Sequence, residues 1–195
     1  LGSGIGNIKE VLPDCLRTDL FPNPWLDQVE NAYSLSFPDQ TVANIILFDV
    51  FHHLEHPGTA FQEFKRVLVP GGRVIIFDPY ISLFGRVVYG ALHHEPMALG
   101  DNILWNAPAD WNASKESYYA AQGNATRLFY RGEFEQQLTD WKIIARERFA
   151  ALPYVLSGGY SKPQFYPDVL YPAICAIDRL CNLVPQIFAT RLLVV

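Results

Sequence analysis

Two histidine pairs carry the side chains best suited to moving protons: His52-His53, and His93-His94 with Glu95 directly after it. An imidazole titrates near neutrality, so His53, His93 and His94 are candidate bases for an acceptor that must lose a proton, with Glu95 as an orienting group. His52-His53 also fits the plain start of a helix, with one ring packed and one exposed. No metal site is expected, because no third ligand stands at helical spacing to His93-His94-Glu95. The other stretch able to do chemistry is Leu1-Gly2-Ser3-Gly4-Ile5-Gly6-Asn7. Glycine takes positive φ and has no Cβ, so such a loop at the mouth of a helix can lay backbone amides against a bound cofactor. No apolar strand precedes these glycines, and a first strand is expected upstream of Leu1.

The elements that must position these groups follow from the apolar pattern. Residues 42–48 are a nearly continuous apolar run, which predicts a central parallel strand covered on both faces and ending at Asp49. Residues 58–68 place Ala60, Phe61, Phe64, Val67 and Leu68 on one face of a helix, with Gln62, Glu63, Lys65 and Arg66 outward. Pro70-Gly71-Gly72 predicts a turn, and residues 73–77 a second buried strand ending at Asp78-Pro79, which completes a right-handed βαβ unit. Upstream, residues 7–12 read as a turn or two of helix closed by Pro13-Asp14, residues 15–18 as a brief strand ending at Asp19, and residues 25–33 as a modest strand. Downstream, residues 80–130 are rich in Tyr and Trp and read as a lid or insertion. A helix at 131–138, a strand at 141–149, a Gly158-Gly159 loop, a helix around 169–183 and a last strand at 191–195 complete the chain.

In an open parallel sheet, ligands bind outside the carboxyl ends of the strands. The glycines, Asp19, Asn31-Ala32 and Asp49 all fall at such ends. An acidic group after the second strand suits ribose hydroxyls, because a carboxylate accepts both hydrogens. That implies an adenosine cofactor. A dinucleotide fingerprint would need glycine at position 7, which is Asn7, and no Gly-Lys-Ser/Thr phosphate loop exists.

Four stretches share a family pattern in order and spacing: residues 1–6, Asn31-Ala32-Tyr33-Ser34-Leu35-Ser36-Phe37-Pro38-Asp39, the run from Ile45 to His52-His53-Leu54, and Glu63 to Arg73 with its Arg-Val-Leu-Val-Pro-Gly-Gly turn. Together they resemble the class I S-adenosylmethionine-dependent methyltransferases, closely over residues 1–80. The resemblance implies a Rossmann-like three-layer αβα sandwich, with a mostly parallel sheet and an antiparallel C-terminal strand. It implies that Gly2, Ser3, Gly4 and Gly6 approach the methionine part of S-adenosylmethionine, and that Asp19, with Leu20, holds the ribose. Asn31, Ala32 and Tyr33 would then edge the adenine, and Phe48 and Asp49 would close the pocket. Ser36 and Asn31 depart from the family's usual proline and aspartate, and the helix after the glycines is short.

Composition limits the partners. The chain has 195 residues, half of them apolar and 18% charged, as expected of one packed α/β domain. Net charge is −5 and the basic residues are scattered, which excludes a nucleic-acid footprint. Cys15, Cys175 and Cys181 show no pairing or zinc spacing and read as reduced. No signal peptide is visible and no apolar run nears the ~20 residues of a membrane span, so a cytoplasmic location is expected. The expected acceptor is a small molecule in a pocket under the aromatic stretch, which equally suits plain core or a homodimer surface. The alternatives are an NAD-type oxidoreductase and a non-catalytic Rossmann-like interaction domain.

Overall fold

The computed structural model describes residues 1–113, 118–158 and 162–195. Gly159 of the expected Gly158-Gly159 loop lies outside the described residues. Strands β1 (Thr18–Asp19) and β2 (Gln28–Val29) pair in parallel as one small sheet. A second sheet has the order β3 (Val42–Phe48), β4 (Leu68–Pro79), β6 (Arg191–Val194), β5 (Arg146–Phe149). Only the β3–β4 ladder in it is parallel; β4–β6 and β6–β5 are antiparallel. The sheet is therefore mixed rather than mostly parallel, and its antiparallel last strand is the one expected at 191–195. Residues 1–3 join the two sheets, since the Leu1 nitrogen donates to the Ile46 carbonyl of β3 (2.9 Å) and the Ser3 amide to the Thr18 carbonyl of β1 (2.9 Å).

The crossover helix α1 (Pro57–Val67) forms where its apolar spacing predicts, and buries Ala60, Phe61, Phe64 and Val67. It covers the sheet face that carries Ile45, Leu47, Val74 and Ile76, together with Leu192 and Val194 from β6. Proline at its first position needs no amide partner there. The Pro70-Gly71-Gly72 turn is absorbed into β4 as an irregularity: the pairing with β3 steps from Val42–Leu68 to Asn44–Arg73, and Gly71 takes φ 82°. The opposite face of β3 is less covered than its sequence predicts, with Phe48 half exposed and stacked on Phe77 at 4.7 Å. The cause lies upstream: the segment after the glycine loop makes only a 3-10 turn, Ile8–Glu10, too short to form a covering layer.

The aromatic stretch contributes to the main core. Helix α2 (Leu83–Val87), capped by the Ser82 hydroxyl on the Gly85 amide, widens into a π turn at Val88–Leu92. Helix α3 (Asn124–Tyr130) is buried from Asn124 to Phe129 and packs on β4 and β6. The helix expected at 131–138 is reduced to a 3-10 turn, Glu135–Leu138, after Gly132 leaves helical geometry with φ 68°. Helices α4 (Leu152–Leu156), α5 (Tyr171–Cys181) and α6 (Pro185–Phe188) lead into β6. Among the described residues no helix is long and apolar enough to cross a membrane.

Arg66, ion-paired with both Asp39 and Glu63, clips the 35–39 loop to α1. Glu63 accepts two hydrogen bonds from Arg66 and one from the Leu35 amide (2.7 Å), while Arg66 donates to the Leu35 and Phe37 carbonyls. The Arg66 guanidinium holds the Glu63 carboxyl below the usual range. Glu63→Gln is expected to cost about 1 kcal/mol at neutral pH, the net worth of such bonds with solvent screening included. A depressed carboxyl stabilises the fold above its unfolded value of about 4.3 and stops doing so as pH falls through the folded value. Urea unfolding at several pH values should therefore show the gap between variant and parent closing below about pH 4.

Candidate active site

The glycine loop folds back on Asp19 at the end of β1. The Gly4 amide donates to Asp19 Oδ2 (2.8 Å) and the Phe21 amide to Oδ1 (3.1 Å), so the backbone fixes the carboxylate from both sides. Gly2 and Gly4 have φ of 62° and 51°. A Cβ on Gly2 would fall 2.3 Å from Val50 Cγ2, so the backbone passes too close for any other residue. Gly2, Asp19, Leu20, Asn31, Ala32, Tyr33, Asp49 and His53 line one cavity of about 290 Å³. Asn31 turns the chain there, its Oδ1 accepting from the Tyr33 amide (2.9 Å). Ser3, Gly4 and Gly6 belong to the loop beside this wall but do not line it, and neither does Phe48, whose ring stacks on Phe77.

A second cavity, of about 270 Å³, opens on the far side of Asp49 and His53. His52, His53, His93, His94 and Glu95 line it together with Tyr89, Gln122, Tyr154 and Arg191. Asp49 ends β3 with φ 56°, a conformation that aspartate tolerates better than most residues. Its carboxylate accepts from Arg191 and, at 2.8 Å, from the Tyr154 hydroxyl. The Arg191 guanidinium also lies 4.5 Å over the Tyr154 ring.

The histidines gather on Glu95. His52 Nε2 stands 3.5 Å from Oε2, His53 Nε2 3.9 Å from Oε1, His93 Nδ1 3.7 Å from Oε2 and His94 Nε2 4.0 Å from Oε1. Tyr118 and Gln122 donate to the same carboxylate. Behind His52, the buried Asp78 accepts from His52 Nδ1 (3.0 Å) and from the Phe51 amide (3.1 Å). His53 Nδ1 donates to the Tyr119 carbonyl (2.8 Å). Burial works against charge on His52, yet the Asp78 carboxylate beside it raises the ring to about 9. Burial, followed by the charge of His52, keeps His53 below its ordinary value. Burial opposes ionisation of Glu95, but the hydrogen bonds from His52 and Tyr118 bring it down to about 2.

Residues 4–76 match the family model described as a methyltransferase domain. The likeness to a methyltransferase domain thus covers less than half of the chain. The matched span runs from the glycine loop through β4 to Ile76 and includes every residue of the first cavity's wall except Leu1, Gly2, Tyr118 and Tyr119. No curated protein matches the sequence. Among solved structures the chain is similar to the MccD protein, at 16% identity over 85% of this chain and 64% of that one, with a TM-score of 0.38. It is also similar to the PH0226 protein from Pyrococcus horikoshii OT3 (16% identity, 75% and 73% covered, TM-score 0.45) and to the YcgJ protein from Bacillus subtilis (14%, 86% and 68%, TM-score 0.38). The chain thus spans less than two thirds of the MccD protein's length, and likenesses at this level carry no argument about activity.

Most of the second cavity lies beyond the matched span, and there sequence reasoning missed several residues. Asp78, Gln122, Tyr154 and Arg191 had no motif to announce them. Asp78 left one usable signal, an acidic residue at a strand's carboxyl end. The expectation of no metal site rested on the lack of a third ligand in sequence. In space, His52, His53 and Glu95 bring three ligand atoms within 4.8 Å of one another.

Proposed function

We propose that this chain transfers a methyl group from S-adenosylmethionine, bound in the first cavity, to a small-molecule acceptor in the second. The observation that carries the reading is that Asp49 and His53 line both cavities, which brings a cofactor site and an acceptor site to the same two side chains. The residues present fit the cofactor. Gly2 leaves room for close backbone approach, and each oxygen of Asp19 takes one amide bond, so about two of a carboxylate's roughly four acceptor sites remain for ribose hydroxyls. Asn31, Ala32 and Tyr33 would border the adenine.

S-adenosylmethionine, when bound, supplies a methyl group already activated by its sulfonium. What remains for the protein is alignment and exclusion of water. Asp49, held by Arg191 and Tyr154, is fixed in the wall that the two cavities share. His53, His93 and His94 are the bases that face the acceptor and would take its proton. Asp19→Ala is expected to weaken S-adenosylmethionine binding by about 1.5–3 kcal/mol, the worth of hydrogen bonds to a charged group. Calorimetric titration with S-adenosylmethionine and with NADH, on parent and variant, is the test. Binding of NADH alone would discard the reading, and unchanged affinity in the variant would remove Asp19 from the site.

A further inference from the structure

We propose that His52, His53 and Glu95 form a binding site for one divalent transition-metal ion of the zinc class, with an open position facing the acceptor cavity. The first argument is which atoms face each other. The Tyr119 carbonyl can only accept, so His53 Nδ1 carries the proton and the Nε2 that faces Glu95 is a lone pair when the ring is neutral. His52 is oriented likewise, its Nδ1 on Asp78 and its Nε2 toward Glu95, and an ion bound there displaces the proton of that Nε2. Both rings therefore direct their second nitrogen at a carboxylate that Tyr118 and Gln122 already orient.

The second argument is distance. The separations of 3.5 and 3.9 Å between the Nε2 atoms and Glu95 are long for hydrogen bonds. The first matches the edge of a tetrahedron around zinc, about 3.3–3.5 Å when the bonds are about 2.0–2.1 Å. The second, to the other carboxylate oxygen, is longer, and one ligand atom from each residue lies within 4.8 Å of the others. The third argument is the outer layer. Ligating histidines almost always donate their other nitrogen to a carboxylate or a backbone carbonyl, and ligating carboxylates are hydrogen-bonded in turn. Asp78 serves His52, the Tyr119 carbonyl serves His53, and Tyr118 and Gln122 serve Glu95.

Two imidazoles and one carboxylate leave a tetrahedral ion one position for an outside ligand. His53 and Glu95 line the second cavity, so that position opens where the acceptor would sit. A hydroxyl or similar oxygen bound there would lose its proton more readily; with Nε2 on the ion His53 gives up its role as base, and His93 beside it receives the proton. That use rests on the methyl-transfer reading; the ion site itself does not.

The test is calorimetric titration of the chelator-treated full chain with Zn²⁺, joined to metal analysis and to the visible spectrum after loading with Co²⁺. One equivalent is expected to bind, with a tetrahedral cobalt spectrum free of thiolate charge-transfer bands. His53→Ala and Glu95→Gln should each weaken binding by at least the ~10–100-fold that outer-layer losses cost. Far-ultraviolet circular dichroism shows whether each variant is folded, and the cobalt spectrum of the parent does not depend on any variant. Failure to bind a stoichiometric ion, thiolate bands that place it on cysteine, or binding undiminished in folded His53→Ala would each overturn the proposal. A chain that binds S-adenosylmethionine but no zinc fails this inference alone. One that binds zinc but not S-adenosylmethionine fails only the functional reading.

Discussion

Asp78→Ala is expected to cost about 3–5 kcal/mol of stability, the loss that follows when one partner of a buried pair is removed. Asp78 is fully buried and one of its oxygens serves both the Phe51 amide and His52 Nδ1. Alanine leaves two buried donors without an acceptor, next to one of the largest fully buried side chains, Phe51. In a chain of this size each kcal/mol lowers the melting temperature by about 2–4 °C, so a fall of roughly 6–20 °C is expected in a thermal scan. Asp78→Asn keeps an acceptor and should lose much less. If both variants lose under about 1 kcal/mol, Asp78 is not the support of His52 described above.

Asp49→Ala is the second large effect, again about 3–5 kcal/mol. Arg191 is nearly buried and remains charged at any working pH, so losing its carboxylate strands a cation in the core. Alanine also fits the left-handed backbone at this position less well than aspartate. The cause can be isolated with a second substitution. Arg191→Met made in the Asp49→Ala background should recover part of the loss, because a buried pair replaced as a whole costs far less than a pair broken. Denaturant unfolding of the parent, both single variants and the double variant measures the coupling. Simple additivity would show that the two side chains do not depend on each other.

The elements that were legible are those whose signal is local. Residues 42–48 announced a strand by continuous apolar character, α1 by its spacing, and the glycine loop by residue type. The first cavity was legible for the same reason, since strand ends can be read one at a time and an open sheet gathers them. The second cavity was not. His52 and Asp78 lie 26 residues apart and meet only through the β3–β4 ladder, while Asp49 and Arg191 are separated by 142 residues. The second contact depends on how β6 enters the sheet, antiparallel to β4, and no spacing in the chain encodes it. The helix expected at 131–138 was overridden by the backbone of one glycine, and the turn at 70–72 by its pairing with β3.

The two sheets differ in extent, and the difference falls across the proposed reaction path. The acceptor side stands on twelve-residue β4 and its ladders to β3 and β6. The cofactor side stands on two strands of two residues each, tied to the larger sheet through the short passage of residues 1–3. Compliance is thus concentrated on one wall: if the site tightens around its contents, the displacement belongs to the glycine loop and Asp19, while the histidines and Asp49 serve as the fixed anvil against which they close.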